Sequence, residues 1–156
     1  MRVLVSTKFA STALPFTVTD EYNSPYKSFS AFAGNPYFID PEILCDEGLI
    51  TKGDLNACKQ STPYSCEFER LGKERMALLK KAYSNFKSHD SVNEFMKNHP
   101  RLEAFCRFMT LREQNGNKPW QEWDNSEITD TETLGTWQFI QYEFFRQWLE
   151  IKKYAN

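Results

Sequence analysis

No run of apolar residues in this sequence of 156 residues approaches the roughly twenty that cross a bilayer as a helix. Met1 to Ala13 holds only the Val3-Leu4-Val5 cluster, too brief for the apolar core of a signal peptide. The expectation is a cytoplasmic protein with no membrane partner. An excess of charge of one sign is missing too: 19 basic residues face 21 acidic ones, for a formal charge of -2, and no basic stripe interrupts the mixture. Without that electrostatic footprint, nucleic acid is excluded as a partner. Cys45, Cys58, Cys66 and Cys106 lack CxxC spacing, and neither His89 nor His99 lies at a metal-ligand interval from them. With no export signal the thiols are expected to be reduced, and nothing in the residues implies a metal or an organic cofactor. Internal repeats and low-complexity tracts are absent as well.

Aromatic residues, by contrast, are plentiful: 13 Phe, 7 Tyr and 4 Trp make up 15% of a chain that is 40% hydrophobic. That is enough apolar material for one modest core and too short a chain for two large domains. Pro15, Pro25, Gly34-Asn35-Pro36, Pro41 and Pro63 punctuate residues 1–64, which read as loops with one or two short elements. Asp40-Pro41-Glu42 starts a short helix that Gly48 ends, and Thr51 to Cys58 adds another turn or two. Residues 65–156 read as helical. Leu71, Leu78, Leu79, Ala82, Tyr83 and Phe86 predict a helix from Arg70 to Lys87, and Ser91-Val92-Asn93-Glu94 fits a capping box for a second. Pro100 opens a third, carried by Leu102, Phe105, Cys106, Phe108 and Met109 and stopped at Asn115-Gly116. Lys118 to Trp123 is a compact aromatic turn. Thr129-Asp130-Thr131-Glu132 is a second capping box, ahead of a long helix reaching Tyr154 with Leu134, Trp137, Ile140, Phe144, Trp148 and Ile151 along one face.

The string from Asn23 to Pro36 (Asn-Ser-Pro-Tyr-Lys-Ser-Phe-Ser-Ala-Phe-Ala-Gly-Asn-Pro) closely resembles a loop of the amylomaltases, the disproportionating 4-α-glucanotransferases of glycoside hydrolase family 77. Tyr37-Phe38-Ile39-Asp40 and Glu47-Gly48-Leu49 continue the likeness. Further on, Phe108 to Glu113, Gly116 to Trp120 with Trp123, and Gln141 to Trp148 are similar to the family's helices and its Lys-Pro-Trp turn. Together they cover most of Leu14 to Asn156 in the family's order. The fold this implies is mainly α, a helical insertion subdomain (65–156) of a (β/α)8-barrel glucanotransferase, with a loop-rich barrel-rim segment (1–64) in front and the barrel itself incomplete. The resemblance is to the N-terminal portion only. The expected account is a chain incomplete at both ends, with a front half poorly ordered alone and apolar surface exposed where the barrel would dock.

The activity implied is transfer of α-1,4-glucan segments between maltooligosaccharides by retaining chemistry, in which one carboxylate forms a glycosyl-enzyme and another acts as acid and then base. In the family those groups lie on strands that follow the Phe-Arg-Gln-Trp helix, so no catalytic residue carries over and the isolated chain is expected to be inactive. The family's glycines before the loop fall here at Thr17, Asp20 and Tyr22, and its tyrosine at Glu21, which puts a secondary glucan site in doubt. No cofactor is implied by the family either.

Ser24 and Tyr26 are the candidate substrate-binding residues that the resemblance implies, lining the sugar groove. A hydroxyl both donates to and accepts from sugar hydroxyls, and a tyrosine ring offers an apolar face with a polar tip. The alternative is that Pro25-Tyr26 only pins a rigid turn above Phe29, Phe32 and Phe38. Trp120 and Trp123 either stack on sugar or plug the end of a small core, while Trp137, Phe144, Phe145 and Trp148 have core spacing. Asp20-Glu21, Asp46-Glu47 and Glu143 are acidic, but nothing in their local sequence implies a pocket or a raised pKa. His89 and His99 lie at helix boundaries with no partner for a catalytic triad. Expected partners are an α-1,4-glucan or maltooligosaccharide and the remainder of the barrel. The rival expectation is a non-catalytic helical module that binds glucan or a protein.

Overall fold

The computed structural model describes residues 16–19, 24, 26–62 and 64–155. Expectations that fall on Met1 to Pro15, Asp20 to Asn23, Pro25, Pro63 and Asn156 lie outside them. The described residues are mainly helical, with six α-helices, two 3₁₀ turns and two isolated β-bridges.

Helix α1, Pro41–Asp46, begins as the sequence suggests: the Glu42 N–H donates to Asp40 Oδ1 at 2.9 Å, and Pro41 loses nothing at a position whose N–H has no helical partner. Gly48 (φ 74°) ends it, letting the Leu49 N–H reach back to the Leu44 carbonyl at 2.9 Å. Helix α2, Lys52–Ala57, carries a reciprocal capping box between Thr51 and Asp54. Helix α3, Phe68–Asn85, lies about two residues ahead of its expected span and buries Leu78, Leu79 and Ala82.

Two expected capping boxes are displaced. Helix α4 runs from His89 to Asn98, so Ser91 lies inside its first turn rather than before it. The His89 ring sits edge-on to Tyr83 and Phe86, and those contacts draw the helix start back toward α3. His99 closes α4 and opens α5, Pro100–Gln114, its carbonyl accepting from Leu102 and Glu103 while its ring stacks on Phe95 at 4.2 Å. Helix α6, Thr131–Ala155, is capped by Asp130, whose carboxylate accepts from the Thr133 N–H at 2.9 Å and hydroxyl at 2.7 Å. The Thr129 N–H is instead taken by Gln114 Oε1 at 3.1 Å, which ties Thr129 to the end of α5.

Helix α6 is the central element, packing against α3, α4, α5 and the 3₁₀ turn Pro36–Phe38. Its Phe139 and Ile140 are fully buried, and Gly135 makes room for α3: a Cβ there would lie 2.0 Å from the Tyr83 hydroxyl. The core continues through Val18, Ala33, Ile39, Leu44, Leu49 and Ile50, so the described front residues share it with the helices. Two polar side chains of α3 also hold that front segment: Arg75 donates to the Ile39 carbonyl at 3.2 Å and Asn85 to the Leu49 carbonyl at 2.9 Å.

Candidate functional site

Residues 16–19 and 28–35 form an abbreviated antiparallel pair, with bridges Thr19 to Ser28 and Thr17 to Gly34. The Phe29 N–H donates to the Val18 carbonyl at 3.3 Å and the Asn35 N–H to the Phe16 carbonyl at 3.0 Å. Serine and asparagine side chains supply what a full ladder would. Ser28 Oγ lies 2.7 Å from the Val18 carbonyl, Ser30 Oγ accepts from the Phe32 and Ala33 N–H groups, and Asn35 Nδ2 donates to the Thr17 carbonyl. The sequence reading did not assign these roles, although a Ser-x-Ser pair before Gly-Asn-Pro is their local signal.

At the tip, the Lys27 N–H closes a turn on the Ser24 carbonyl at 3.2 Å, and the Tyr26 N–H points at Ser24 Oγ at 3.4 Å. The Tyr26 side chain is 83% exposed, so its ring does not pack on the turn. Phe29 is held between the Phe108 ring, at 6.3 Å, and the Arg112 guanidinium, at 4.6 Å. Phe32 lies beneath Arg101 at 4.7 Å and remains half-exposed, as does Phe38 against the edge of Phe16.

The two tryptophans of the aromatic turn differ. Trp123 packs on Phe108 with centroids 5.6 Å apart and donates its Nε1–H to the Lys118 carbonyl at 2.9 Å. Trp120, in the 3₁₀ turn Trp120–Glu122, is 67% exposed. Rings thus connect Phe29 of the loop through Phe108 to Trp123.

Beneath the loop segment lies a polar group that sequence reasoning missed. Gln141, fully buried on α6, accepts the Gly34 N–H at 2.8 Å and donates to the Gly34 carbonyl at 3.0 Å. Gln147 Oε1 accepts the Asp40 N–H at 2.7 Å. Glu143, whose local sequence gave no hint of a pocket or perturbed pKa, is fully buried as well. Burial pushes its carboxyl above the ordinary range, against the pull of Arg146, which bonds it at 2.7 Å and spans to Glu47 at 2.7 and 2.8 Å. Burial disfavours the Arg146 cation, but the hydrogen bonds it donates to both carboxylates outweigh that cost and hold its pKa above the usual value. The sequence signal was a set of polar residues, Gln141, Glu143, Arg146 and Gln147, inside an aromatic helix.

A surface concavity of about 590 Å³ is lined by Glu67, Phe68, Glu69, Arg70 and Lys73 at the start of α3, and none of the candidate residues borders it. The four cysteines are separate thiols; burial pushes the Cys106 thiol up to about 12. Among the described residues no group of three or more His, Cys, Asp or Glu is placed to hold a metal ion, and no helix is long and apolar enough to cross a membrane.

The family model described as 4-alpha-glucanotransferase matches residues 6–156. The chain belongs to the 4-alpha-glucanotransferase family. It is 38% identical over 163 residues to a 4-alpha-glucanotransferase of Clostridium butyricum, covering 92% of this chain and 33% of the relative. A 4-alpha-glucanotransferase of Streptococcus pneumoniae is 34% identical over 161 residues, covering 92% and 32%. The structure is similar to that of the amylomaltase from Streptococcus agalactiae in complex with acarbose, with a TM-score of 0.82 and 33% identity over 91% of this chain and 32% of that one. The chain therefore spans about a third of the length of these relatives. The two strings that most clearly carry the amylomaltase resemblance, 23–36 and 141–148, meet in space at the Gly34–Gln141 pair.

Proposed function

We propose that this chain forms the rim loop (1–64) and helical insertion (65–156) of a barrel 4-α-glucanotransferase that moves α-1,4-glucan segments between maltooligosaccharides in the cytoplasm. It contributes Ser24 and Tyr26 to the sugar groove. The observation that carries this reading is the exposed Tyr26 ring at the tip of a loop whose backbone is bonded at both flanks, in a chain of this family. A ring so presented can lie against the C–H face of a glucose unit while its hydroxyl and that of Ser24 exchange hydrogen bonds with sugar hydroxyls. The acarbose found with the streptococcal amylomaltase is the kind of ligand such a groove would take.

Catalytic carboxylates are assigned to the remainder of the barrel. Retaining transfer needs two carboxyl groups about 5–5.5 Å apart with a sugar carbon between them. Two described pairs of carboxylates share a partner, Glu47 with Glu143 and Glu67 with Glu74, and each pair is joined by a guanidinium instead, that of Arg146 and that of Arg70. The remainder of the barrel is also the proposed occupant of the exposed apolar end of α6, at Trp148, Leu149, Ile151 and Tyr154. Trp120 favours the second reading, a helical module that binds glucan without transferring it, because an exposed indole on a short turn is a ready stacking surface.

Incubation of the chain with maltotriose, followed by mass spectrometry, is expected to give no ladder of longer and shorter products. A ladder that tracks the purified chain would overturn the assignment of the chemistry elsewhere. In a titration with maltoheptaose, Tyr26→Ala is expected to weaken binding about tenfold, equivalent to about 1.4 kcal/mol. If Trp120→Ala weakens it and Tyr26→Ala does not, the module reading stands in place of the groove.

A further inference from the structure

A buried carboxamide is costly unless both its ends are bonded, since an unmatched amide group in a core loses on the order of 1–3 kcal/mol. Gln141 meets this condition by directing both ends at one residue: it accepts from the Gly34 N–H at 2.8 Å and donates to the Gly34 carbonyl at 3.0 Å. That is the two-bond exchange a neighbouring β-strand would provide, made here by a side chain of a helix. Thr17 bridges Gly34 in the abbreviated pair, where the next residue's N–H, that of Asn35, bonds the Phe16 carbonyl. A side chain at residue 34 has no room, because its Cβ would lie 2.1 Å from the Phe144 ring. Gln147 makes a single bond of this kind, its Oε1 accepting the Asp40 N–H at 2.7 Å, at the same sequence separation of 107 residues. Helix α6 thus grips the backbone of 34–40 at two points, through contacts that do not depend on the side chains of that segment.

The loop carrying Ser24 and Tyr26 departs at Thr19 and returns at Ser28, and the pair that flanks it runs back to Thr17 and Gly34, so the anchor at Gly34 acts on the tip through that pair. The geometry points to Gln141 as a positioning residue for glucan binding. Acting through Gly34, it sets where Ser24 and Tyr26 stand and does not itself touch sugar. This inference rests on the groove reading above.

The test uses the full chain with Gln141→Leu, which keeps the volume and removes both bonds. Gln141→Asn, one methylene short of Gly34, serves if the leucine variant does not fold. Thr110→Val, which deletes another buried hydrogen bond, from Thr110 Oγ1 to the Cys106 carbonyl on α5, is the control for simple loss of stability. Hydrogen exchange is read amide by amide, and maltoheptaose affinity by titration. In the Gln141 variants, protection at residues 27–35 is expected to fall at least tenfold while α4 and α5 keep theirs, and the maltoheptaose Kd is expected to rise at least tenfold. Thr110→Val is expected to leave loop protection and Kd unchanged. Unchanged loop protection in the Gln141 variants, or a uniform fall across loop and helices, overturns the positioning role. A wild-type chain that binds no maltoheptaose overturns the groove reading and the sugar-positioning role with it, whereas loss of protection confined to the loop would still identify the anchor.

Discussion

Glu143 and Glu47 accept from the same guanidinium in unlike surroundings: the Glu143 side chain is buried, and that of Glu47 is at the rim. A carboxyl whose folded pKa is raised adds stability that is complete below its unfolded value and is lost as pH rises through the folded one. For Glu143 that window opens at the ordinary glutamate value of 4.5 and extends upward. Arg146 is what makes the ionised form tolerable. Arg146→Met is therefore expected to cost about 3–5 kcal/mol at pH 7, where it strands a buried carboxylate, and clearly less at pH 4.5, where Glu143 can take up a proton. Urea unfolding at the two pH values checks this, and an equal cost at both would mean that the ionisation of Glu143 is not what Arg146 offsets.

At the scale of elements, the two displaced caps show what a single sequence conveys about a helix and what it does not. The apolar spacing that makes α3, α5 and α6 helices is intrinsic to each segment and was legible. The choice of Asp130 over Thr129 as the cap of α6 was not, because it is made together with the bonds by which Gln114 Oε1, from across the α5–α6 connection, takes the N–H groups of both residues. The start of α4 likewise depends on Tyr83 and Phe86 receiving the His89 ring. The same limit applies to the site. The loop was legible as a string of residues resembling amylomaltases, but Gln141 and Glu143 look alike in sequence whether a polar residue in an aromatic helix faces solvent or a distant backbone. Asp130→Ala is expected to destabilise the chain by about 1 kcal/mol, whereas Thr129→Ala should stay within about 0.5 kcal/mol, as judged by thermal melts. Hydrogen bonds from Thr133 hold the Asp130 carboxyl below its ordinary value of 3.8, so the benefit of this cap is fully present above that value and is lost as pH falls through the lowered one.

For the whole molecule, the last turns of α6 leave Trp148, Leu149, Ile151 and Tyr154 at the surface, a concentration of apolar area that monomeric proteins usually cover. The double substitution Leu149→Lys, Ile151→Lys is expected to change stability by no more than about 0.5 kcal/mol per site and to reduce self-association in sedimentation velocity runs. A loss well beyond that would mean the residues are covered in solution. The pairing of Gly34 and Asp40 with Gln141 and Gln147 also sets an order of events during synthesis. Each partner lies 107 residues downstream, so at about 5–20 residues per second the front segment waits roughly 5–20 s for the helix that holds it. In that interval the nascent strand-like pair has unpaired backbone groups within reach of other chains, and the window closes only when α6 leaves the ribosome.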